Sequence, residues 1–223
     1  MSPAPEPEPR PSGTAPVSRS EQRFEIVATV LLACAALATA WSGYQASLWD
    51  GIQSSDYTQA SAARTRAAQQ LTEANQYRLA DLSVFASFID ASLSGNDELA
   101  AFYRERFRDE LEPAYVAWEA LDPRTNPDAP ASPLAMPEYR LAPEREAERL
   151  TARAEARFAA GENANTYSDV YTASTLFFAS ALFFAAVSER FEYVRARIAL
   201  LAIAGGGLLA GFAVALTQPV TSG

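Results

Sequence analysis

Three long apolar runs without a charged residue constrain this sequence more than any other feature. They cover residues 26–49, 170–188 and 198–223, and each follows directly on sequence that carries charges. A helix needs about 20 apolar residues to cross the roughly 30 Å hydrocarbon core of a bilayer, and each run supplies about that length. The sequence therefore predicts an integral membrane protein with three transmembrane helices.

The segment that follows the first run is predicted to be helical. Residues 46–93 contain no proline and one glycine, Gly51, so the first span should continue into a long helix. After a stop at residues 94–96, a second helix is expected over residues 97–121, and Pro113 should kink or divide it. The apolar residues of this second helix recur at steps of three and four: Leu99, Tyr103, Phe107, Leu111, Ala114, Trp118 and Leu121.

A proline-rich connection over residues 122–143 contains six prolines and cannot form a regular helix. Helix should resume over residues 144–168 and continue into the second span. Small residues dominate 54–70 and 147–164, and large apolar residues follow in the distal part of the first helix. These segments can pack as an antiparallel helical stalk outside the membrane, in the manner of a coiled coil or bundle. The predicted fold class is all-α.

The arginines near the spans predict the orientation of the chain. Arg19 and Arg23 precede the first run, and three arginines lie in the short link 189–197. Basic residues near span ends are retained in the cytoplasm, so the N-terminus and this link should be cytoplasmic. The predicted division is a disordered cytoplasmic tail 1–22, transmembrane helix 23–45, extracytoplasmic helical region 46–168, transmembrane helix 169–188, cytoplasmic link 189–197, transmembrane helix 198–217 and short outer tail 218–223.

Two other interpretations of the first run stay open. Residues 31–34, Leu-Leu-Ala-Cys, loosely resemble a lipoprotein processing site, although apolar sequence continues past Cys34. Residues 38–40, Ala-Thr-Ala, have the small-x-small form of a signal-peptide cleavage site. We favour a retained anchor, because the preceding tail is long and rich in proline and glutamate, a composition typical of disorder. Cleavage would leave the remaining topology unchanged.

The residue types that carry most enzyme chemistry are scarce. The chain has no His and no Lys, and its one cysteine, Cys34, lies within the first apolar run. It therefore lacks the commonest general base, an accessible thiol and the His and Cys ligands of a zinc site. A formal charge of −9 argues against nucleic-acid binding. We expect a non-enzymatic protein in membrane lipid, with no cofactor, no metal site and no identified small-molecule substrate.

Two motifs are candidates for helix contacts. Gly207 and Gly211 have the spacing that lets two helices approach closely, within one chain or between two chains. The second motif is a row of arginines at every fourth residue: Arg145, Arg149, Arg153 and Arg157. This row is either a solvated face with local ion pairs or a partner surface for an acidic protein or anionic lipid.

The run NPDAPASP at residues 126–133, the sequence MPEY at 136–139 and the overall layout resemble a group of uncharacterised bacterial inner-membrane proteins. The resemblance implies one N-terminal span, a helical extracytoplasmic region and a C-terminal pair of spans, and it supplies no functional residues. We expect a structural or protein-interaction role through the outer helices, with a second copy or another protein as partner. The alternative is a transport accessory or a subunit of a small oligomeric channel, lined by Thr172, Ser174, Thr175 and Ser180.

Overall fold

The computed structural model describes residues 19–222, which contain helices and no strand. The α-helices are α1 Arg19–Leu93, α2 Asp97–Arg104, α3 Leu111–Glu119, α4 Ala142–Ser188 and α5 Val194–Ala215, with a short 3-10 helix at Pro133–Ala135. Helices α1, α4 and α5 are long and apolar enough to cross a membrane. The prediction of an all-helical chain with three such helices is confirmed. Most of the predicted disordered tail, residues 1–18, lies outside the described residues, and residues 19–22 belong to α1.

Helix α1 continues without interruption for 75 residues. Its sequence contains no proline, so no backbone donor is missing from its ladder of hydrogen bonds. The helix ends where Gly95 adopts a φ of +72°, a conformation that glycine takes without steric cost. Asn96 then caps α2, because its side-chain oxygen accepts a hydrogen bond of 3.1 Å from the backbone N–H of Leu99.

The region 97–121, where Pro113 was expected to kink or divide a helix, forms two helices, and the break lies before Pro113. Helix α2 ends at Arg104, and α3 begins at Leu111. A proline inside a helix clashes with the carbonyl four residues earlier, here that of Asp109, so the helix cannot run unbroken through this stretch. Pro113 occupies the first turn of α3, where a backbone N–H would have no intrahelical partner in any case.

The chain divides into two compact units, and the first contains residues 52–164. An aromatic cluster joins the end of α1 to α3. The ring of Phe85 lies 5.4 Å from that of Trp118 and 6.5 Å from those of Phe107 and Tyr115, and Phe88 completes the cluster. Edge-to-face pairs of this kind add to the free energy gained by burying the rings. A second apolar cluster contains the buried residues Ala74, Leu111, Ala114, Tyr139 and Leu141.

Within residues 52–164, α1 and α4 pack against each other in opposite directions. Asp56 pairs with Arg157 at 2.9 Å, while Arg78, further along α1, pairs with Glu144, nearer the start of α4. A methyl group at Gly161 of α4 would lie 2.6 Å from the Tyr57 ring, so the close approach requires glycine there. The other buried residues of this contact are mostly alanines: Ala60, Ala63 and Ala67 on α1 and Ala147, Ala154 and Ala164 on α4.

The second unit, the three-helix unit, contains residues 19–51 and 165–222 among those described. The segment after α5 returns to α1 and α4. The Gln45 side chain donates to the Thr221 carbonyl and accepts from the Thr221 N–H, both at 3.1 Å. Trp49 and Tyr171 each donate to the Pro219 carbonyl at 3.2 Å. These bonds hold the C-terminal segment against two helices of the unit.

Candidate functional site

The predicted arginine row does not form one continuous free surface. Arg145, Arg149 and Arg153 are exposed, and Arg149 pairs with Glu146 at 2.6 Å. The hydrogen bond with Arg149 lowers the pKa of the Glu146 carboxyl. Arg157 instead turns toward α1 and pairs with Asp56, which is buried. The row therefore combines an intrachain helix contact with a face that is charged in both signs.

The predicted glycine pair lies against α4 within the three-helix unit. A methyl group at Gly207 would come within 3.4 Å of the Phe177 carbonyl oxygen, and one at Gly211 would overlap the Phe178 ring. Phe178 is fully buried and packs on Phe212 at 5.2 Å. The two glycines thus contact a helix of the same chain.

Three of the hydroxyl groups considered for a channel lining donate to the backbone of their own helix. Ser174 donates to the Val170 carbonyl at 2.9 Å. Thr175 and Ser180 make the corresponding bonds to Thr172 and Leu176. Hydroxyls bonded in this way have a partner within lipid and need no water-filled pore.

A different surface, on α1, has an unusual composition. Every exposed residue of α1 between Arg66 and Asp90 is uncharged, and three of them are leucines with exposed fractions of 46–67%. We call this surface the uncharged face of α1. Its members are Ala68, Gln69, Leu71, Thr72, Asn75, Gln76, Leu79, Ala80, Leu82, Ser83 and Ala86. Exposed leucines on a helix face without charge are typical of a surface that another protein covers.

The charged residues of the same stretch make contacts within the chain. Glu73 is half-buried and accepts a hydrogen bond of 2.9 Å from the Tyr77 hydroxyl. Arg78, also half-buried, pairs with Glu144 of α4. Asp81 is only 2% exposed. The uncharged face therefore arises because each charge on this part of α1 has an intrachain partner.

Asp81 is the centre of a polar cluster in the 52–164 unit. Its Oδ2 accepts a hydrogen bond of 2.8 Å from the Tyr139 hydroxyl, and the Arg108 guanidinium lies 3.4 Å from the same oxygen. Arg108 also donates to Glu110 at 2.9 Å and stacks over the Tyr77 ring at 3.9 Å. The cluster joins α1 to the segment before α3 and to the segment before α4.

Burial raises the pKa values of two groups in this cluster, Asp81 and Tyr139. Desolvation raises the pKa of the Asp81 carboxyl above its ordinary value, while the hydrogen bond from Tyr139 and the charge of Arg108 act in the opposite direction. Burial also raises the pKa of the Tyr139 hydroxyl, which therefore stays protonated and donates. A buried carboxylate with these two partners is satisfied, and its role here is to position α1 against its neighbours.

The raised pKa of Asp81 predicts a pH-dependent contribution to stability. A carboxyl whose pKa is higher in the folded state contributes stability that is fully present below its unfolded pKa and is lost as pH rises through its folded pKa. Lowering the pH from about 7 to about 4 should thus stabilise the wild type relative to Asp81→Asn, which cannot titrate. The difference between the two thermal midpoints in detergent, measured at each pH, checks this. A difference that does not change with pH would contradict it.

The uncharged face and the Asp81 cluster were not anticipated from the sequence. The sequence signal for the face was available, since residues 67–89 contain only three charged residues, spaced to lie on other sides of the helix. The Asp81 cluster carries no local signal, because its members are 27 and 58 residues apart. Comparison of the chain with protein families, curated proteins and solved structures finds no match.

Proposed function

We propose that this chain is a non-enzymatic protein of the bacterial inner membrane that acts by binding protein through its helical region outside the cytoplasm. The topology is the one predicted from the arginines, with a cytoplasmic N-terminus, three spans and an outer C-terminus. Residues 52–164 form an extracytoplasmic antiparallel stalk in this proposal. The resemblance of the sequence to a group of bacterial inner-membrane proteins supports this location.

The uncharged face of α1 is the observation that carries the proposal. Helices exposed to water ordinarily present charged residues outward, as α4 does with Arg145, Glu148, Arg149 and Arg153. On α1 the outward residues over 68–86 are leucine, alanine and neutral polar residues, and this composition favours contact with protein. The face does not have the composition of a surface in membrane lipid. Exposed charged residues precede and follow it along α1, at Arg66 and Asp90.

Site-specific photo-cross-linking in intact cells tests the proposal. A photoactivatable amino acid at Leu79, the most exposed leucine of the face, should give a discrete protein adduct. The same amino acid at Glu148, on the charged face of α4, should give none. Leu82→Glu in the Leu79 probe variant should remove the adduct, because a carboxylate would have to be desolvated in the contact.

Two controls make the outcome interpretable. Membrane levels of each probe variant report on folding, and Leu82→Glu should leave them unchanged because Leu82 is exposed. If Leu79 gives no adduct at normal protein levels, or gives the same products as Glu148, the uncharged face does not bind protein and the proposal is wrong.

A further inference from the structure

We infer that the partner of the uncharged face is a second copy of this chain, with the two α1 helices side by side and running in the same direction. This inference rests on the proposed function and identifies the partner of that same surface. The two copies would be related by a twofold axis parallel to the helices. Each residue of the face would then lie close to its own copy.

The leucines and alanines of the face, together with Asn75, form a row at the spacing of residues that meet between two packed helices. Successive members are three or four residues apart, so they stay on one side of α1. The row continues through half-buried Ile89 to Leu93, which is 73% exposed. Its members are Ala68, Leu71, Asn75, Leu79, Leu82, Ala86, Ile89 and Leu93. It lies beside the buried residues Ala74, Asp81 and Phe85, which contact other parts of the same chain, so one helix can serve both contacts.

The absence of charge on residues 68–86 favours a second copy over a different protein. In a parallel twofold pair, any charged residue on the face would meet an identical charge at the same position. The chain carries a formal charge of −9, so exposed carboxylates are plentiful elsewhere. A neutral face is the pattern that permits two identical helices to approach, whereas a face for a different partner has no reason to exclude complementary charges.

Asn75 supports the parallel arrangement. It is the polar member of a row otherwise made of alanine, leucine and isoleucine. An asparagine at a core position of a parallel helix pair can donate to and accept from its own copy, and it thereby selects both the register and the number of helices. In a shifted register the same amide would be buried against leucine, and its Oδ1 would keep only the 3.5 Å hydrogen bond from Arg78 of its own helix.

Anchoring in one membrane makes the contact feasible. The row from residue 68 to residue 93 covers about 38 Å of helix, and with a helix about 10 Å wide it buries on the order of 400 Å² per copy. This is about half of what a stable interface between freely diffusing proteins buries. Two copies inserted in the same orientation in one bilayer meet at a raised effective concentration, which compensates for the small area.

Disulfide cross-linking of the full chain in native membranes tests the inference. In a Cys34→Ala background, Leu71→Cys and Leu82→Cys should each form a dimer on oxidation with copper phenanthroline, and Glu148→Cys should not. Leu71→Cys and Leu82→Cys on two differently tagged copies should not cross-link with each other. The two positions are about 16 Å apart along the helix, and a disulfide requires Cα atoms within about 7 Å.

A second variant examines the contribution of charge. Leu79→Glu should lower the dimer yield of Leu71→Cys by about tenfold or more, because two carboxylates would face each other in a desolvated row. Thr151→Glu, an exposed position on α4, is the control and should leave the yield unchanged.

The possible results separate this inference from the proposed function. Same-site dimers without mixed dimers support both. A photo-adduct at Leu79 with a protein of different mass, and no same-site disulfide, overturns the second copy and leaves protein binding intact. Mixed Leu71–Leu82 dimers overturn the parallel register. Absence of every cross-link, at normal membrane levels, overturns the inference and the proposed function together.

Discussion

Phe85→Ala is expected to lower the free energy of unfolding of the 52–164 unit by about 3–5 kcal/mol. Phe85 is only 6% exposed, and its ring contacts those of Phe88, Phe107, Tyr115 and Trp118. Its removal leaves a cavity between α1 and α3 and forfeits several edge-to-face contacts. The surrounding rings cannot close this cavity fully, because α1 is also held at Asp81 by Tyr139 and Arg108.

Hydrogen exchange measured by mass spectrometry on the detergent-solubilised chain reports this loss locally. Amides of α3 should exchange about 100-fold faster or more in Phe85→Ala, if they exchange through opening of the unit. Phe102→Ala is the control, since it makes the same chemical change at a side chain that is 46% exposed. It should cost less than about 1 kcal/mol. Equal effects of the two substitutions would show that the aromatic cluster is not the core of this unit.

Gly211→Leu is expected to destabilise the three-helix unit by about 3 kcal/mol, the upper end of the usual cost of overpacking. Even a methyl group at this position would overlap the Phe178 ring. That ring is fully buried and packed on Phe212, so it has little room to move. The contact between α4 and α5 would have to open, and the solubilised protein should lose its monodisperse state at a lower temperature.

Gly206→Leu separates this packing effect from a general effect of leucine on α5. Nothing lies within 4 Å of a methyl group at Gly206, although it belongs to the same helix. The melting temperature of the Gly206→Leu variant in detergent should match that of the wild type. If Gly206→Leu lowers the melting temperature as much as Gly211→Leu does, the predicted importance of the contact between α5 and α4 is wrong.

The membrane helices could be predicted because lipid imposes simple requirements. An uncharged run of about 20 residues is a direct signal, and three such runs correspond to parts of α1, α4 and α5. The length of α1 beyond the first run was also predictable, since no proline interrupts residues 19–93. These features depend on local composition alone.

Other features depend on steric and tertiary contacts that the spacing of residue types does not specify. The break between α2 and α3 precedes Pro113 by several residues, because the clash that prevents a continuous helix falls on an earlier turn. Arg157 looked like one more member of an exposed row until the structure placed it against Asp56, 101 residues away. Periodicity reveals which residues share a side of a helix, but the elements that cover that side must be known to identify the exposed face.

The uncharged face illustrates this limit. The distal part of the first helix, which contains Leu71, Leu79 and Leu82, was predicted to supply the larger apolar core of the stalk. In the structure Ala74 and Phe85 are buried, whereas these three leucines are exposed. The apolar surplus of α1 is thus greater than its own chain covers. This surplus is the basis for proposing a partner.

The proposed topology makes the central claim of three spans directly testable. In a Cys34→Ala background, spheroplasts carrying Asp128→Cys or Glu192→Cys are treated with a membrane-impermeant maleimide before and after permeabilisation. We expect labelling of Asp128→Cys in intact spheroplasts and of Glu192→Cys only after permeabilisation, because in the proposed topology α4 crosses the bilayer between the two positions. Equal labelling of both positions in intact spheroplasts would contradict the proposed topology of three spans.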